Sequence, residues 1–381
     1  MGELVRASFA ASRWDRSRRL WWLLWSRCPG IGWARVQVVV SAFGSLERAW
    51  AAPVEELAAL SGWGADVSRR FQSYRATWGA DPLPRWSRVI RGGRGVLLPG
   101  DPRWPAAMQQ LSRPPVQLCW RGQGSLWPPL ASRRAVAVVG TRRPSSHGLG
   151  MARRLGAALA EAGWPVVSGL AEGIDAAAHE GCLEAGGAPV AVLGTPLQRV
   201  YPRHHALLQE RVARSGLLIT ESPPGASVTP GHFACRNRLQ VALAAAVVVV
   251  ECPRGSGALH SADLAWRQEL PLWVVPADAG RVSALGSNRL LSRGATPLLD
   301  PADLLDHLGR GPLARDAAAA PHHGSLRPDQ RALLEAVGGG ASLPQLREVL
   351  GLSGAELAGR LLELELAGRL CAEPGLRWRP R

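Results

Sequence analysis

From about residue 95 to residue 308 the chain alternates between two rhythms. Short runs apolar at consecutive positions lie at 95–98, 116–120, 135–139, 165–168, 189–193, 217–220, 246–251 and 272–275 and predict strands. Between them, apolar residues return every three or four positions over 148–162, 175–185, 205–215, 233–244, 258–269 and 288–292, which predicts helices or parts of helices. Strands without a polar alternate face, separated by helices, predict a parallel sheet buried on both sides. The fold class is α/β, a doubly wound parallel sheet, with ligands expected at the carboxyl ends of its strands.

The flanks follow other patterns. Residues 1–94 hold two similar phrases, Cys28-Pro29-Gly30-Ile31-Gly32 and Leu60-Ser61-Gly62-Trp63-Gly64, each followed by a helical pattern at 34–42 and 67–74. They predict a small helical domain of the helix-hairpin-helix or SAM-like kind. Its Gly-x-Gly turns either offer backbone N–H groups to a DNA phosphate or only turn the chain tightly around a core containing Trp21, Trp25, Trp33 and Trp50. After the sheet domain, 95–308, residues 309–324 have the Gly, Pro and Ala content of a linker. Residues 325–381 read as helices at 328–337, 342–350 and 353–366, then a hairpin turning at Glu373-Pro374-Gly375. Three helices and a terminal hairpin predict a winged helix.

Composition adds a partner class. The 381 residues carry a net charge of +15, and every one of the 45 basic residues is Arg. The charge favours a polyanion partner. It is concentrated before residue 311: residues 1–95 hold 15 Arg against 7 acids, whereas 325–381 hold 8 against 7. The longest apolar run, 241–250, is half of what a membrane-spanning helix needs and ends at Glu251. No export signal is read, and no membrane partner is expected. The six cysteines show neither CxxC nor a Cys/His ligand spacing. Neither metal nor cofactor is therefore expected, and a reducing cytoplasm fits.

Candidate chemistry gathers where the strands end. The strand at 135–139 runs into Gly140-Thr141-Arg142-Arg143-Pro144-Ser145-Ser146 and a helix. Helix N-terminal N–H groups, hydroxyls and guanidinium suit an anion there, though Ser145 or Ser146 would equally serve as a helix cap. The next turn carries Ser168-Gly169, then Glu172, Asp175 and His179. Asp175 and His179, one helical turn apart, form either an acid–base pair or a helix cap beside a satisfied His. Further turns bring Tyr201, Arg203, Glu221, then Phe233, Arg236, Asn237 and Arg238, and after Glu251, Arg254-Gly255-Ser256-Gly257. So many Arg at one edge with Tyr201 and Phe233 interleaved resembles a nucleic-acid groove.

The ordered motifs also resemble the DNA-processing protein A family (DprA, or Smf), over about residues 101–299. They are Gly140-Thr141-Arg142, Ser168-Gly169, Tyr201-Pro202, Glu221-Ser222-Pro223, Arg236-Asn237-Arg238, Ser256-Gly257 and Gly286-Ser287-Asn288-Arg289. The resemblance implies an extended Rossmann-like domain that binds single-stranded DNA, helps load the recombinase RecA during natural transformation, and forms a homodimer. It carries DNA contacts to Gly140, Thr141, Arg142, Arg143, Ser168, Gly169, Arg203, Phe233, Arg236, Asn237, Arg238, Ser256 and Gly257. Ala234 stands where the family usually has Pro, and Ala258 where it has Ser.

The leading expectation is thus a non-enzymatic mediator of recombination, with no catalytic constellation. Two alternatives stand beside it. One is a nucleotide hydrolase or phosphoribohydrolase on a related Rossmann-like fold, using Glu172, Asp175 or Glu221. The other is a duplex-DNA regulator acting through the winged helix, whose third helix carries Glu356, Glu363 and Glu365 but only Arg360.

Overall fold

The computed structural model describes residues 14–90, 95–314, 328–338, 340–366, 370–373 and 377–380. They divide into two compact units, one up to residue 314 and one from residue 315.

The first unit opens with helices α1 (Arg16–Ser26), α2 (Trp33–Phe43), α3 (Leu46–Ala51), α4 (Val54–Ala58), α5 (Ala65–Trp78) and α6 (Leu83–Ile90). Aromatic packing explains why so many Trp lie here: Trp25 stacks on Phe71 with centroids 4.7 Å apart, and Trp50 and Trp63 meet the same ring edge-on. Trp21, Trp25 and Trp50 are core, as their spacing suggests, while Trp33 stays half-buried. The two Gly-x-Gly turns are tied together by Arg35, which donates to Gly62 O at 2.8 Å and to Gly30 O at 2.5 Å. This helical layer docks on the start of the sheet domain. Trp22 Nε1 donates to Val116 O at 2.7 Å, and Arg19 pairs with Asp101 at 2.7 Å.

The sheet domain follows the predicted alternation: β1 (Gly95–Leu97), β2 (Leu118–Gly122), α7 (Trp127–Ala131), β3 (Val136–Val139), α8 (Ser146–Glu161), β4 (Val166–Ser168), α9 (Ile174–Glu184), β5 (Pro189–Val192), α10 (Ala206–Ser215) and β6 (Leu217–Thr220). Then come α11 (Pro230–Ala242), β7 (Ala246–Val249), α12 (Gly257–Arg267), β8 (Leu272–Val274), α13 (Leu285–Leu291), β9 (Thr296–Pro297) and α14 (Pro301–Leu308). The nine strands are ordered β1-β2-β6-β5-β4-β3-β7-β8-β9. Every pairing from β6 to β9 is parallel.

Successive residues of one strand enter different cores, which is why the strands read as unbroken apolar runs. Ala137 and Val139 pack with α11 and α12, whereas Val136 and Val138 pack with α8 and α9. Two details depart from the expected sheet. β2 runs antiparallel to both β1 and β6, giving the sheet an antiparallel margin of the kind that many largely parallel sheets carry. β9 has only two residues, too short for a hydrophobic period to register.

Residues 309–314 remain on this unit. Trp164 Nε1 donates to Gly309 O at 2.8 Å, and Leu313 N donates to Gly163 O at 2.9 Å.

The second unit contains α15 (Pro328–Val337), β10 (Ala341–Ser342), α16 (Leu343–Leu350), α17 (Gly354–Leu366), β11 (Leu370–Glu373) and β12 (Arg377–Pro380). Its three strands are antiparallel in the order β10-β12-β11, and Leu333, Leu346, Leu357 and Leu361 form its core. β10 was not expected; its pairing of Ala341 with Trp378 is non-local and leaves no pattern in two residues.

Candidate nucleic-acid interface

Sheet order reverses between β3 and β7: β4, β5 and β6 extend to one side and β8 and β9 to the other. Loops leaving two strands at such a point diverge onto opposite faces and open a crevice. A cavity of about 890 Å³ lies there, at the carboxyl ends of β3 and β7.

Its first wall is the turn from Gly140 to Arg143. Gly140 is required by close packing, since a Cβ would stand 2.5 Å from the Ile174 side chain and 2.9 Å from Glu251 O. Thr141 N donates to Glu251 O at 2.7 Å, and Thr141 Oγ1 accepts from Arg143 N at 3.2 Å. Below the turn, the buried Glu251 carboxylate accepts from Ser145 Oγ at 2.7 Å and from Ser145 N at 3.2 Å. Ser145 in turn caps α8, accepting from Gly148 N at 3.1 Å. The capping role thus coexists with a turn whose Arg142 and Arg143 face the cavity.

The opposite wall comes from the N-terminal turns of α11 and α12. Phe233, Arg236 and Asn237 line it from α11, Arg254 and Ser256 from the loop entering α12, and Gly257 from the first position of that helix. Asn237 Nδ2 donates to Gly257 O at 3.2 Å, joining the two helices, while Ser256 Oγ accepts from Ala258 N at 3.2 Å. At the mouth, the Arg142 guanidinium lies 5.8 Å from the Phe233 ring centroid, and Tyr201, 45% exposed, sits 4.8 Å from the same ring. Exposed Val282 adds an apolar rim.

Four of the residues expected at the interface lie outside the cavity lining. Ser168 is buried and donates to Val138 O at 2.7 Å. Gly169 N donates to Asp175 Oδ2 at 3.1 Å, and a Cβ on Gly169 would fall 1.5 Å from an Arg236 nitrogen, so this glycine makes room for that side chain. Arg203 sits in a single helical turn over Arg203–His205 before α10. Arg238 spends four of its N–H groups within the protein: it pairs with both Glu221 oxygens at 2.8 and 2.6 Å and donates to Arg113 O and Cys235 O.

Electrostatics divide the site into a charged rim and a neutral floor. Arg236 and Asp175 are only 5% and 6% exposed. Burial raises the Asp175 pKa, an effect that Arg236 opposes, and burial lowers that of Arg236, opposed by Asp175. The two compensate one another. His179 behaves otherwise than either reading from the sequence. Both its ring nitrogens are buried without a hydrogen-bond partner, and desolvation, then Arg236 and His205, lower its pKa to about 3. It stays neutral because a buried imidazolium beside a guanidinium is costly.

Several contributors were missed. Glu251 registered only as the end of an apolar run, although it organises the turn from the next strand. Gln240 and Ser261 reach the floor from helix positions that look like ordinary interior polar residues. No signal in local spacing identifies them, because their placement depends on how α11 and α12 pack. Among the described residues, no cluster of potential metal ligands occurs, and no helix is long and apolar enough to cross a membrane.

Residues 95–309 match the family described as DNA recombination-mediator protein A. The chain is 30% identical over 398 aligned positions to protein Smf of Synechocystis, covering 96% of this chain and 99% of that protein. It is 36% identical to a putative DNA processing protein DprA of Mycobacterium tuberculosis, over 76% of this chain and 77% of the relative. Among solved structures, DNA processing protein A of Streptococcus pneumoniae superimposes with a TM-score of 0.62 at 24% identity, over 77% of this chain and 98% of that one, which is a likeness of fold. DNA processing protein A of Helicobacter pylori, whose structure describes its single-stranded DNA binding mode, matches with a TM-score of 0.50 at 30% identity, over 56% and 96%.

Proposed function

Because the chain belongs to the DNA recombination-mediator protein A family, we propose that it binds single-stranded DNA at the β3–β7 cavity, as a non-enzymatic mediator of recombination. One observation carries this reading: Arg142 and the Phe233–Tyr201 aromatic pair share the mouth of a crevice at the topological switch point. Guanidinium groups neutralise phosphates, and exposed rings stack on bases that only a single strand presents freely. Gly140, Thr141, Arg142 and Arg143 with Ser256 and Gly257 take the backbone, and Phe233 with Asn237 and Arg236 form the inner wall. Arg203 extends the basic surface beyond the rim. Ser168, Gly169 and Arg238 support the site from behind.

The reading is non-enzymatic on the chemistry of the lining. Asp175 is its carboxylate, and that group is buried, bonded to Gly169 N and balanced by Arg236. A hydrolytic base needs a carboxylate free to take a proton from water. In this reading the bound strand is passed to RecA in the cytoplasm during natural transformation, and the working form is a homodimer. The second unit acts as a winged helix. The family's description as a recombination mediator supports the role in recombination.

The test is binding of the full chain to labelled single-stranded and duplex DNA of the same length at moderate salt. Tighter binding of the single strand is expected, with each stacked base contributing about 1–3 kcal/mol. Equal affinity for the two forms defeats the reading.

A further inference from the structure

Just beyond β7, Glu251 carries a carboxylate that is buried, yet among the described residues it enters no ion pair. Arg281 feels its charge but is hydrogen-bonded to Asp278. A buried carboxylate without a cation needs other compensation. Here the compensation is the start of α8. Both carboxylate oxygens lie 3.2 Å from Ser145 N, and Oε2 accepts from Ser145 Oγ at 2.7 Å. Ser145 is the N-cap of α8, a helix of 16 residues whose positive dipole end faces the carboxylate.

A second feature, independent of the helix end, shows that the place is shaped around an anion. Gly148 is the third residue of α8, and a Cβ there would stand 2.2 Å from Glu251 Oε2 and 3.3 Å from Glu251 Cδ. Glycine inside a helix is otherwise a liability, and here the missing Cβ is the room that the carboxylate occupies. In doubly wound sheets that hold a nucleotide, glycines in the turn after a switch-point strand admit a phosphate to the N-terminus of the following helix. β3 lies at the switch point of this sheet, and α8 is the helix that follows it. The position that would receive a phosphate is therefore present, and the chain's own carboxylate sits in it.

We propose that Glu251 is a built-in phosphate surrogate and a specificity-determining residue: its carboxylate fills the anion seat at the α8 N-terminus and closes it to inorganic phosphate and to free phosphate monoesters. A single phosphate then gains no foothold beside the cavity, and a strand is selected by its several contacts along the Arg142–Arg143 rim. What is selected rests on the reading of the cavity as a single-stranded DNA site, whereas the seat itself is tested with small ions and no DNA.

The test uses the full chain with inorganic phosphate or acetate, each compared with chloride at equal ionic strength. Glu251→Ala vacates the seat, while in Glu251→Gln an amide keeps it filled. We expect phosphate and acetate each to raise the thermal midpoint of Glu251→Ala. Phosphate should bind that variant with a dissociation constant of about 1 mM, and the native chain and Glu251→Gln about tenfold more weakly or worse. Adding Ser145→Ala to Glu251→Ala should remove most of the gain, because the hydroxyl is one of the donors to the ion. Acetate should also restore part of the single-strand affinity that Glu251→Ala loses, a rescue that the mere loss of packing does not allow. If Glu251→Ala is unfolded in chloride, phosphate or acetate is expected to fold it.

A Glu251→Ala chain that responds to phosphate and acetate no more than to chloride, or that stays unfolded in all three, overturns the proposal. So does a native chain that binds phosphate as tightly as the variant does, since the seat would then be open despite Glu251. A gain that survives Ser145→Ala in full places the ion elsewhere and overturns it too. Failure of the native chain to bind any single strand overturns the parent reading instead and leaves the ion response of Glu251→Ala to stand by itself.

Discussion

Glu251 holds Ser145 by both of its polar groups. The carboxylate accepts from the hydroxyl at 2.7 Å and from the backbone N–H at 3.2 Å, while Glu251 itself is only 2% exposed. The end of β7 thereby fixes the turn leaving β3, with Thr141 N on Glu251 O as a further tie. Geometry at the anion-facing turn is thus set from beneath by a residue that need not touch DNA.

Replacing Glu251 by Gln puts an amide nitrogen where Ser145 needs an acceptor. We expect single-strand affinity to fall about three- to tenfold, or roughly 1 kcal/mol, because the turn is no longer held in one geometry. The salt dependence of binding should keep its slope, since no cationic contact is removed. Titrations of Glu251→Gln at several salt concentrations check both; a reduced slope would mean that a phosphate contact had been lost with the carboxylate.

Arg142 and Arg238 should separate in the opposite way. Arg142→Ala is expected to weaken binding and lower the log–log salt slope by about 0.7, the share of one phosphate contact on a single strand, with little effect on folding. Arg238 is bound bidentately to Glu221, and its side chain is 10% exposed. Removing one partner of such a pair costs about 3–5 kcal/mol of stability at full burial, and less here because Glu221 is 30% exposed. Arg238→Ala should therefore lower the thermal midpoint by several degrees and leave the salt slope of the remaining folded protein intact. Equal effects of the two substitutions on slope would return Arg238 to the DNA-contacting surface.

This contrast also marks how far the sequence could be read. The eight strands were legible because burial on both faces leaves β-branched runs such as residues 135–139 and 246–251, and the helices between them keep a 3.6-residue period. The carboxyl-edge location of the cavity followed from that topology alone. The orientation of each arginine did not. Arg236, Asn237 and Arg238 occupy consecutive helical positions about 100° apart, so one faces the cavity floor, one its wall and one Glu221. Which is which depends on the packing of α11 against β5 and β6, a long-range relation that local spacing does not encode.

His179 gives a pH signature. Its pKa is lowered to about 3 in the folded chain, chiefly by burial, from an ordinary value near 6.5. The unfolded chain thus binds a proton over a range in which the folded chain does not. Stability associated with this group is fully present above pH 6.5 and is lost as pH falls from 6.5 toward 3, by about 1.4 kcal/mol per pH unit. Asp175, whose pKa is raised by burial, contributes a slope of the opposite sign above its unfolded value, so the native profile is a sum. The comparison isolates His179: in His179→Phe, chemical unfolding measured between pH 4 and pH 7 should show a shallower acid-side decline than the native chain. Parallel profiles would mean that the imidazole is protonated or solvated in the folded state.

The second unit is expected to be dispensable for single-strand binding. It has its own core of Leu333, Leu346, Leu357 and Leu361, and Arg360 on α17 is engaged by Asp329 at 3.5 Å, which leaves that helix with more acid than free cation. The site to cut is set by the first unit, where residues 309–314 are hydrogen-bonded to Ala162, Gly163 and Trp164. Ending the chain at Leu308 would strip the Trp164 indole of its acceptor; ending it at Ala314 preserves these bonds. A chain of residues 1–314 should remain soluble and bind single strands within about one order of magnitude of the full chain, or roughly 1.4 kcal/mol. Whatever the second unit contributes on duplex DNA or a protein partner then adds to the cavity's binding through proximity rather than creating it. A loss of more than about a hundredfold in a truncated chain shown to be folded would place part of the binding surface beyond residue 314, and the assignment of the activity to the β3–β7 cavity alone would not stand.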